Sequence, residues 1–157
     1  MILNDRSIAE CLNRKIIDVS PDVTDEQVQP ASLDVRLGSK LYDVQNDSVE
    51  DADEVHVVEP GRAYIGHTMD HVTLPVDIAA MLTGRSSVGR KGVIIHKTAG
   101  WIDPGFSGEL TLEIFNHSHE EVELEVGSRV GQLVFFLLNE PSEGYDGQYQ
   151  DQEGITT

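Results

Sequence analysis

The 157-residue sequence contains a single cysteine, Cys11. One thiol can neither close an intramolecular disulfide nor build a zinc site from paired cysteines. Cys11 is expected as a small, buried, apolar side chain. Lysine is scarce too, with only Lys15, Lys40, Lys91 and Lys97 present, and 11 basic residues face 28 acidic ones for a formal charge of −17. A field of that sign repels a phosphate backbone, which argues against a nucleic-acid partner. Acid-rich, lysine-poor surfaces keep proteins dispersed in salt-rich cytoplasm, so the composition points to a halophilic source. No run of about 18 apolar residues occurs, and the N-terminus lacks the apolar block of a signal peptide. A soluble, cytoplasmic protein without a membrane partner is expected. No His/Cys/Glu set has zinc-ligand spacing either, so no zinc site is expected.

The length suits one domain with a real core. Ile8, Cys11, Leu12 and Lys15 stand at helical spacing behind Asn4, a residue suited to capping, and predict one short N-terminal helix. After it the periodicity changes to two. Leu33, Val35 and Leu37 alternate with Ser32, Asp34 and Arg36, which predicts a half-buried strand. Further short apolar runs near 55–58, 63–69, 71–74, 78–83, 93–96, 109–115, 121–126 and 129–138 are punctuated by Pro60-Gly61, Pro75, Gly92, Pro104-Gly105, Gly108 and Gly127. Many short strands between regular turns describe an all-β barrel or sandwich rather than parallel α/β units. The segment NDSVEDADE (46–54) reads as an acidic, solvated loop. From 141 onward the chain is polar and nearly free of aliphatics. It is either a disordered terminus or, given Tyr145 and Tyr149, a lid that orders over a ligand.

Against the acidic background, Gly84 to Ile102 holds no Asp or Glu and carries Arg85, Arg90, Lys91 and Lys97. A basic island on such a chain suits a small polyanion. Within it, GRSSVGR (84–90) sets Ser86 and Ser87 between two arginines, with Val88 and Gly89 completing the segment. Hydroxyls, backbone N–H groups and a forked guanidinium together suit phosphate, although the Walker spacing is absent and a polar turn between strands would look similar.

A second cluster, HKTAGWIDPGFSGELTLEIFN (96–116), reads as strand, turn, strand. In its second strand Leu110, Leu112 and Ile114 share one face, and Thr111, Glu113 and Phe115 the other. A carboxyl beside a hydroxyl and an aromatic ring is expected to have a raised pKa suited to proton shuttling. Asp103 precedes Pro104-Gly105, where it serves either as a turn former or as a holder of a water or a sugar hydroxyl. His96 reads as an ordinary core or surface histidine.

QPASLDVRLG (29–38), GRSSVGR (84–90), HKTAGWIDPGFSGELTLEIFN (96–116) and GSRVGQLVF (127–135), in this order, resemble the dCTP deaminases of the dCTP deaminase and dUTPase superfamily over most of the chain. The resemblance implies a distorted, dUTPase-like β-barrel over 1–140, a flexible C-terminal lid over 141–157, and a homotrimer with active sites between subunits. It places Glu113 as the acid/base that shuttles protons while water attacks C4 of cytosine. Ser86 and Arg90 assist there and stabilise the tetrahedral intermediate. Residues Arg85, Ser86, Ser87, Val88, Gly89 and Arg90 form the triphosphate loop. Asp103 stands at the deoxyribose 3′-hydroxyl and hydrolytic water, Thr111 and Leu112 meet the base through the backbone, and Gln132, Tyr145, Gln148 and Gln152 contact the nucleotide or close the lid. Mg²⁺ would be bound through the nucleotide phosphates, dCTP and dUTP are the implied ligands, and dTTP the implied inhibitor.

Two features refine that expectation. Plain dUTPases resemble the chain around GRSS and ID but usually lack a glutamate at the place of Glu113, which favours deamination. Deaminases that release dUTP tend to carry His-Arg where this chain has Gly100-Trp101, whereas the bifunctional, dUMP-forming enzymes carry Gly followed by an aromatic residue. A small residue beside Asp103 would leave room for a water at the α-phosphate. There are also departures. Gln148 stands where the family's closing segment has a lysine that reaches the phosphates, and the chain is shorter than most members before residue 60 and at the C-terminus. The sequence therefore leaves open deamination with release of dUTP, dUTP hydrolysis alone, and a non-catalytic nucleotide sensor on the same fold.

Overall fold

The structure, a computed structural model, describes residues 1–156. In chain order it comprises α1 (Asp5–Asn13), β1 (Asp18–Ser20), a 3-10 turn (Asp25–Gln27), β2 (Val28–Gln29), β3 (Ser32–Asp43), β4 (Ser48–Asp51), β5 (Val55–Val58), β6 (Ala63–Thr73), β7 (Ile78–Gly84), α2 (Ser86–Gly89), β8 (Val93–Ile94), β9 (Trp101–Ile102), β10 (Ser107–Asn116), β11 (Val122–Glu125) and β12 (Arg129–Leu137). Helix α1 starts where Asn4 predicts it, with the Asn4 side chain accepting the Ser7 N–H at 3.0 Å, and it buries Ile8. Cys11 is only half-buried against the core rather than enclosed, and burial pushes its thiol pKa up. Lys15 lies past the helix end, paired with Asp18.

The strands form one curled sheet in the order β8-β10-β6-β3-β12-β7-β9, with β1 added on β6 and β2 and β4 added on β3; β5 and β11 make a separate antiparallel ribbon. Curling folds the apolar faces onto one core, which includes Leu33, Val35, Leu112, Ile114, Leu133 and Phe135, all essentially without exposure. β10 alternates strictly, every second residue from Gly108 to Asn116 being buried, as a sheet with one wet face requires.

Two segments differ from their sequence-based reading. β3 is buried on both faces at its start, not one: it lies between β6 and β12, so its polar positions are enclosed as well. Asp34, 1 % exposed, is held by the Arg85 Nε at 3.0 Å and by Arg129, while Arg36 forks onto the buried Asp70. Ion pairs thus replace the water that a half-buried strand would have offered. The acidic stretch 46–54 is not merely a loop, since β4 pairs with β3 from Asp43↔Ser48 to Lys40↔Asp51. The Asp43 carboxylate accepts the N–H groups of Gln45 and Asn46 and closes the hairpin turn, an Asx device invisible to hydrophobic periodicity.

Candidate active site

The wet face of β10 carries Thr111 and Glu113, while Leu110 and Leu112 anchor the strand in the core. Across from this face run the segment before β9, the turn after it, and the C-terminal tail. Together they enclose a cavity of about 370 Å³ whose lining includes His96, Asp103, Thr111, Glu113, Tyr145 and Gln152. β10 pairs with β6 along one side, and its other edge meets the tail near Gly108 and β8 at Phe115. Among the described residues no strand pairs with that edge between them, and an unpaired edge near Thr111 and Leu112 suits a hydrogen-bonding heterocycle.

The segment ahead of β9 ties down Glu113. Its Oε2 accepts the backbone N–H of Thr98 at 2.7 Å and of Lys97 at 3.1 Å, and the Thr98 hydroxyl lies 2.8 Å from Oε1. Burial by itself would raise this carboxyl. The Thr98 hydroxyl and N–H, nearby His96 and the Lys97 N–H more than offset it, so the pKa is lowered from its ordinary value. The raised value expected from Thr111 and Phe115 is therefore corrected. Charge-favouring donors reach Glu113 from a segment 15 residues away, and they outweigh its strand neighbours. Oε2 already takes two N–H donors, whereas Oε1 has at most the single Thr98 hydroxyl hydrogen; Oε1 is the oxygen with a lone pair free for an incoming water.

Gly100 is packed where no side chain fits. A Cβ there would stand 2.5 Å from the Leu82 carbonyl oxygen, and the two residues cannot move apart freely because the Leu82 N–H donates to the Gly100 carbonyl at 2.7 Å. Trp101, half exposed, lines the same cavity and packs against Phe136, ring centroids 5.5 Å apart, and its indole N–H donates to the Asp103 Oδ1 at 3.1 Å. Asp103 serves as the turn former, its carbonyl receiving the Phe106 N–H, and also lines the cavity.

The tail packs on the barrel rather than leaving it. The Tyr145 ring packs at a tilt against Phe106, centroids 5.9 Å apart, Gln152 donates to the Glu109 carbonyl, and Gln148 is exposed. The GRSSVGR segment forms the one-turn helix α2, pinned by Val88 at 7 % exposure, with Ser86, Ser87, Gly89 and Arg90 exposed. Its Arg85 guanidinium is engaged with Asp34 and the Arg129 carbonyl. Neither this segment nor Gln132, half-buried on β12, lines the cavity with Glu113. The single chain thus brings Glu113, Asp103, Thr111, Tyr145 and Gln152 together and leaves Arg85 to Arg90 and Gln132 apart from them.

Sequence reasoning passed over Thr98 and His96. Thr98 fixes the Glu113 carboxylate, and His96 lines the cavity with both ring nitrogens buried and without partners. Both sit in the same motif as Gly100, and the signal was their type and place beside Lys97. Their relation to Glu113 is long-range and carries no periodicity.

The curled antiparallel sheet is a dUTPase-like fold: the dUTPase of EIAV overlays with a TM-score of 0.58 at 17 % identity, over 85 % of this chain and 98 % of that one. Within that class, the family model described as dCTP deaminase-like matches residues 2–138, and the chain belongs to this family. A relative from Kocuria rhizophila, named dCTP deaminase, dUMP-forming, is 42 % identical over 99 % of this chain and 93 % of its own. A relative from Halorubrum lacusprofundi, named dCTP deaminase, is 38 % identical over 98 % of this chain and 88 % of its own. The crystal structure of 2'-deoxycytidine 5'-triphosphate deaminase from Agrobacterium tumefaciens superposes with a TM-score of 0.76 at 30 % identity, covering 87 % of this chain and 47 % of that longer one.

Proposed function

We propose that the protein converts dCTP to dUMP, ammonia and pyrophosphate, using one water to replace the 4-amino group and a second to cleave between the α- and β-phosphates. The observation that carries this reading is Glu113, an anchored carboxylate in a cavity whose adjoining strand edge can bind a base. As the carboxylate, Glu113 takes a proton from water attacking C4 through its free Oε1 and returns it to the departing amine. Thr98 and the Lys97 N–H hold the carboxylate in place throughout. Asp103 meets the sugar and orients the second water, with one of its oxygens already fixed by Trp101.

Mg²⁺ would be carried by the nucleotide's own phosphates rather than by a dedicated set of side chains. When bound there, Mg²⁺ would make the α-phosphorus more electrophilic. The basic loop from Arg85 to Arg90 has exposed hydroxyls and Arg90, yet it stands away from the Glu113 cavity of its own chain. A homotrimer supplies the missing half, the loop of one protomer meeting the cavity of the next, where Ser86 and Arg90 assist deamination and Gln132 contacts the nucleotide. Exposed Met81, Trp101 and Leu137 give that contact apolar surface.

The test is to incubate the protein with dCTP and Mg²⁺ at high and low salt and to separate dCTP, dUTP and dUMP by chromatography. Accumulating dUMP with little free dUTP supports the reading. dUTP as end product would limit the enzyme to deamination, and untouched dCTP would overturn it.

A further inference from the structure

The tail lies over the cavity, lining it with Tyr145, Tyr149, Gln152 and Thr156, and contacts within the chain hold it there. Its backbone is stitched to the start of β10: Asp151 N–H donates to Ser107 O at 2.7 Å and Glu109 N–H to Gln152 O at 2.9 Å. These are ordinary peptide contacts at an exposed edge. Tail side chains add to them, the Gln150 oxygen accepting the Ser107 N–H and its amide donating to the Gly105 carbonyl, while the Gln152 amide donates to the Glu109 carbonyl; a barrel carboxylate also reaches the tail. The Glu109 Oε2 accepts the backbone N–H of Gly154 at 2.6 Å and at the same time lies 2.7 Å from the His67 Nδ1.

The barrel fixes this carboxylate from behind. His67, 8 % exposed on β6, has its Nδ1 facing two acceptors, Glu109 and the Thr68 carbonyl, so Nδ1 carries the hydrogen; its Nε2 takes the Lys40 N–H at 3.3 Å. The ring lies flat on Gly38, where any Cβ would overlap ring atoms. Gly38 ends the SLDVRLG motif, His67 stands on it, Glu109 is held by His67, and Gly154 in the terminal QEG is held by Glu109. Two distant sequence motifs meet through one carboxylate.

We infer that Glu109 is a latch: paired with His67, it holds the C-terminal tail docked over the cavity before nucleotide arrives, and it is a positioning residue for substrate binding rather than a participant in the chemistry. Gln152 and Thr156 reach the cavity from this tail, whereas Glu109 itself does not line it. A lid already in place pays less ordering entropy when ligand binds, which offsets the charge missing at Gln148. The effect on binding rests on the function proposed above; the docking itself does not.

The experiment is amide hydrogen exchange of the peptide covering 148–156 in the nucleotide-free protein, compared among wild type, Glu109→Ala, Glu109→Gln and the tail control Glu143→Ala, followed by steady-state kinetics with dCTP. Loss of a charge-assisted hydrogen bond predicts roughly tenfold or greater acceleration of exchange in Glu109→Ala, with Glu109→Gln intermediate because its amide oxygen still accepts from Gly154. The KM for dCTP rises by a similar factor while kcat stays within about twofold, and Glu143→Ala matches wild type in both. Unprotected exchange in wild type, or equal exchange in wild type and Glu109→Ala, overturns the latch. So does a fall in kcat at constant KM. Should the wild type fail to turn over dCTP, the proposed function falls and hydrogen exchange alone still decides the latch.

Discussion

Glu113→Gln separates proton transfer from every other contribution of this side chain. The glutamine oxygen can occupy the Oε2 position and accept from the Lys97 and Thr98 N–H groups, while its amide donates to the Thr98 hydroxyl, so the segment before β9 stays in place. What disappears is the basic lone pair. A positioned general base contributes about 10²- to 10⁴-fold, or roughly 3–5 kcal/mol of barrier. Ammonia release from dCTP should fall by that factor, while the dCTP Kd measured by calorimetry stays within about threefold, since ground-state contacts survive. A variant that deaminates at the parental rate would refute the assignment of Glu113, and one that loses dCTP binding would refute the argument for anchoring. The pKa direction adds a second readout. The folded carboxyl titrates below the ordinary glutamate value, so its stabilising contribution is fully present above the ordinary value and is lost as pH falls through the lower folded one. The acid limb of wild-type kcat/KM for dCTP should accordingly lie below the ordinary glutamate range, and the glutamine variant should lack the matching acid-side loss of stability.

Asp34→Ala leaves Arg85 and Arg129 without their shared, 1 %-exposed carboxylate, and should cost about 3 kcal/mol, the low end for broken buried pairs because both guanidiniums retain contact with water; differential scanning calorimetry should show the Tm about 6–12 °C lower. Gly100→Ala drives a Cβ into the Leu82 carbonyl at 2.5 Å, and a loss of about 1–3 kcal/mol in urea unfolding, with slower turnover, is expected. Trp101→Phe keeps a ring against Phe136 but removes the N–H that holds Asp103 Oδ1; product chromatography should show a larger dUTP to dUMP ratio, and an unchanged ratio would remove Trp101 from the second hydrolytic step.

How much could be read before the fold was seen follows from the range of each interaction. The β character, the capped helix behind Asn4 and the two faces of β10 are local: period two, an N-cap oxygen and turn residues each act within a few positions. The four ordered motifs identified the candidate residues by type. Asp34 and Arg36 were legible as polar strand positions, but their burial was not, because it arises from strands β6 and β12 closing on either side.

The sequence by itself determined that the chain is an acidic, cysteine-poor, all-β protein with one basic segment, and which residues could do chemistry. Only the tertiary structure decided how they combine. It lowered Glu113 instead of raising it, by bringing Thr98 and Lys97 N–H groups across from another segment. It set the cavity residues apart from Arg85 to Arg90, and it joined Gly38, His67, Glu109 and Gly154 into one contact chain. The reason is physical: hydrogen bonds and ion pairs act over about 3 Å of space, and no periodicity in a linear chain reports which distant groups will be brought that close.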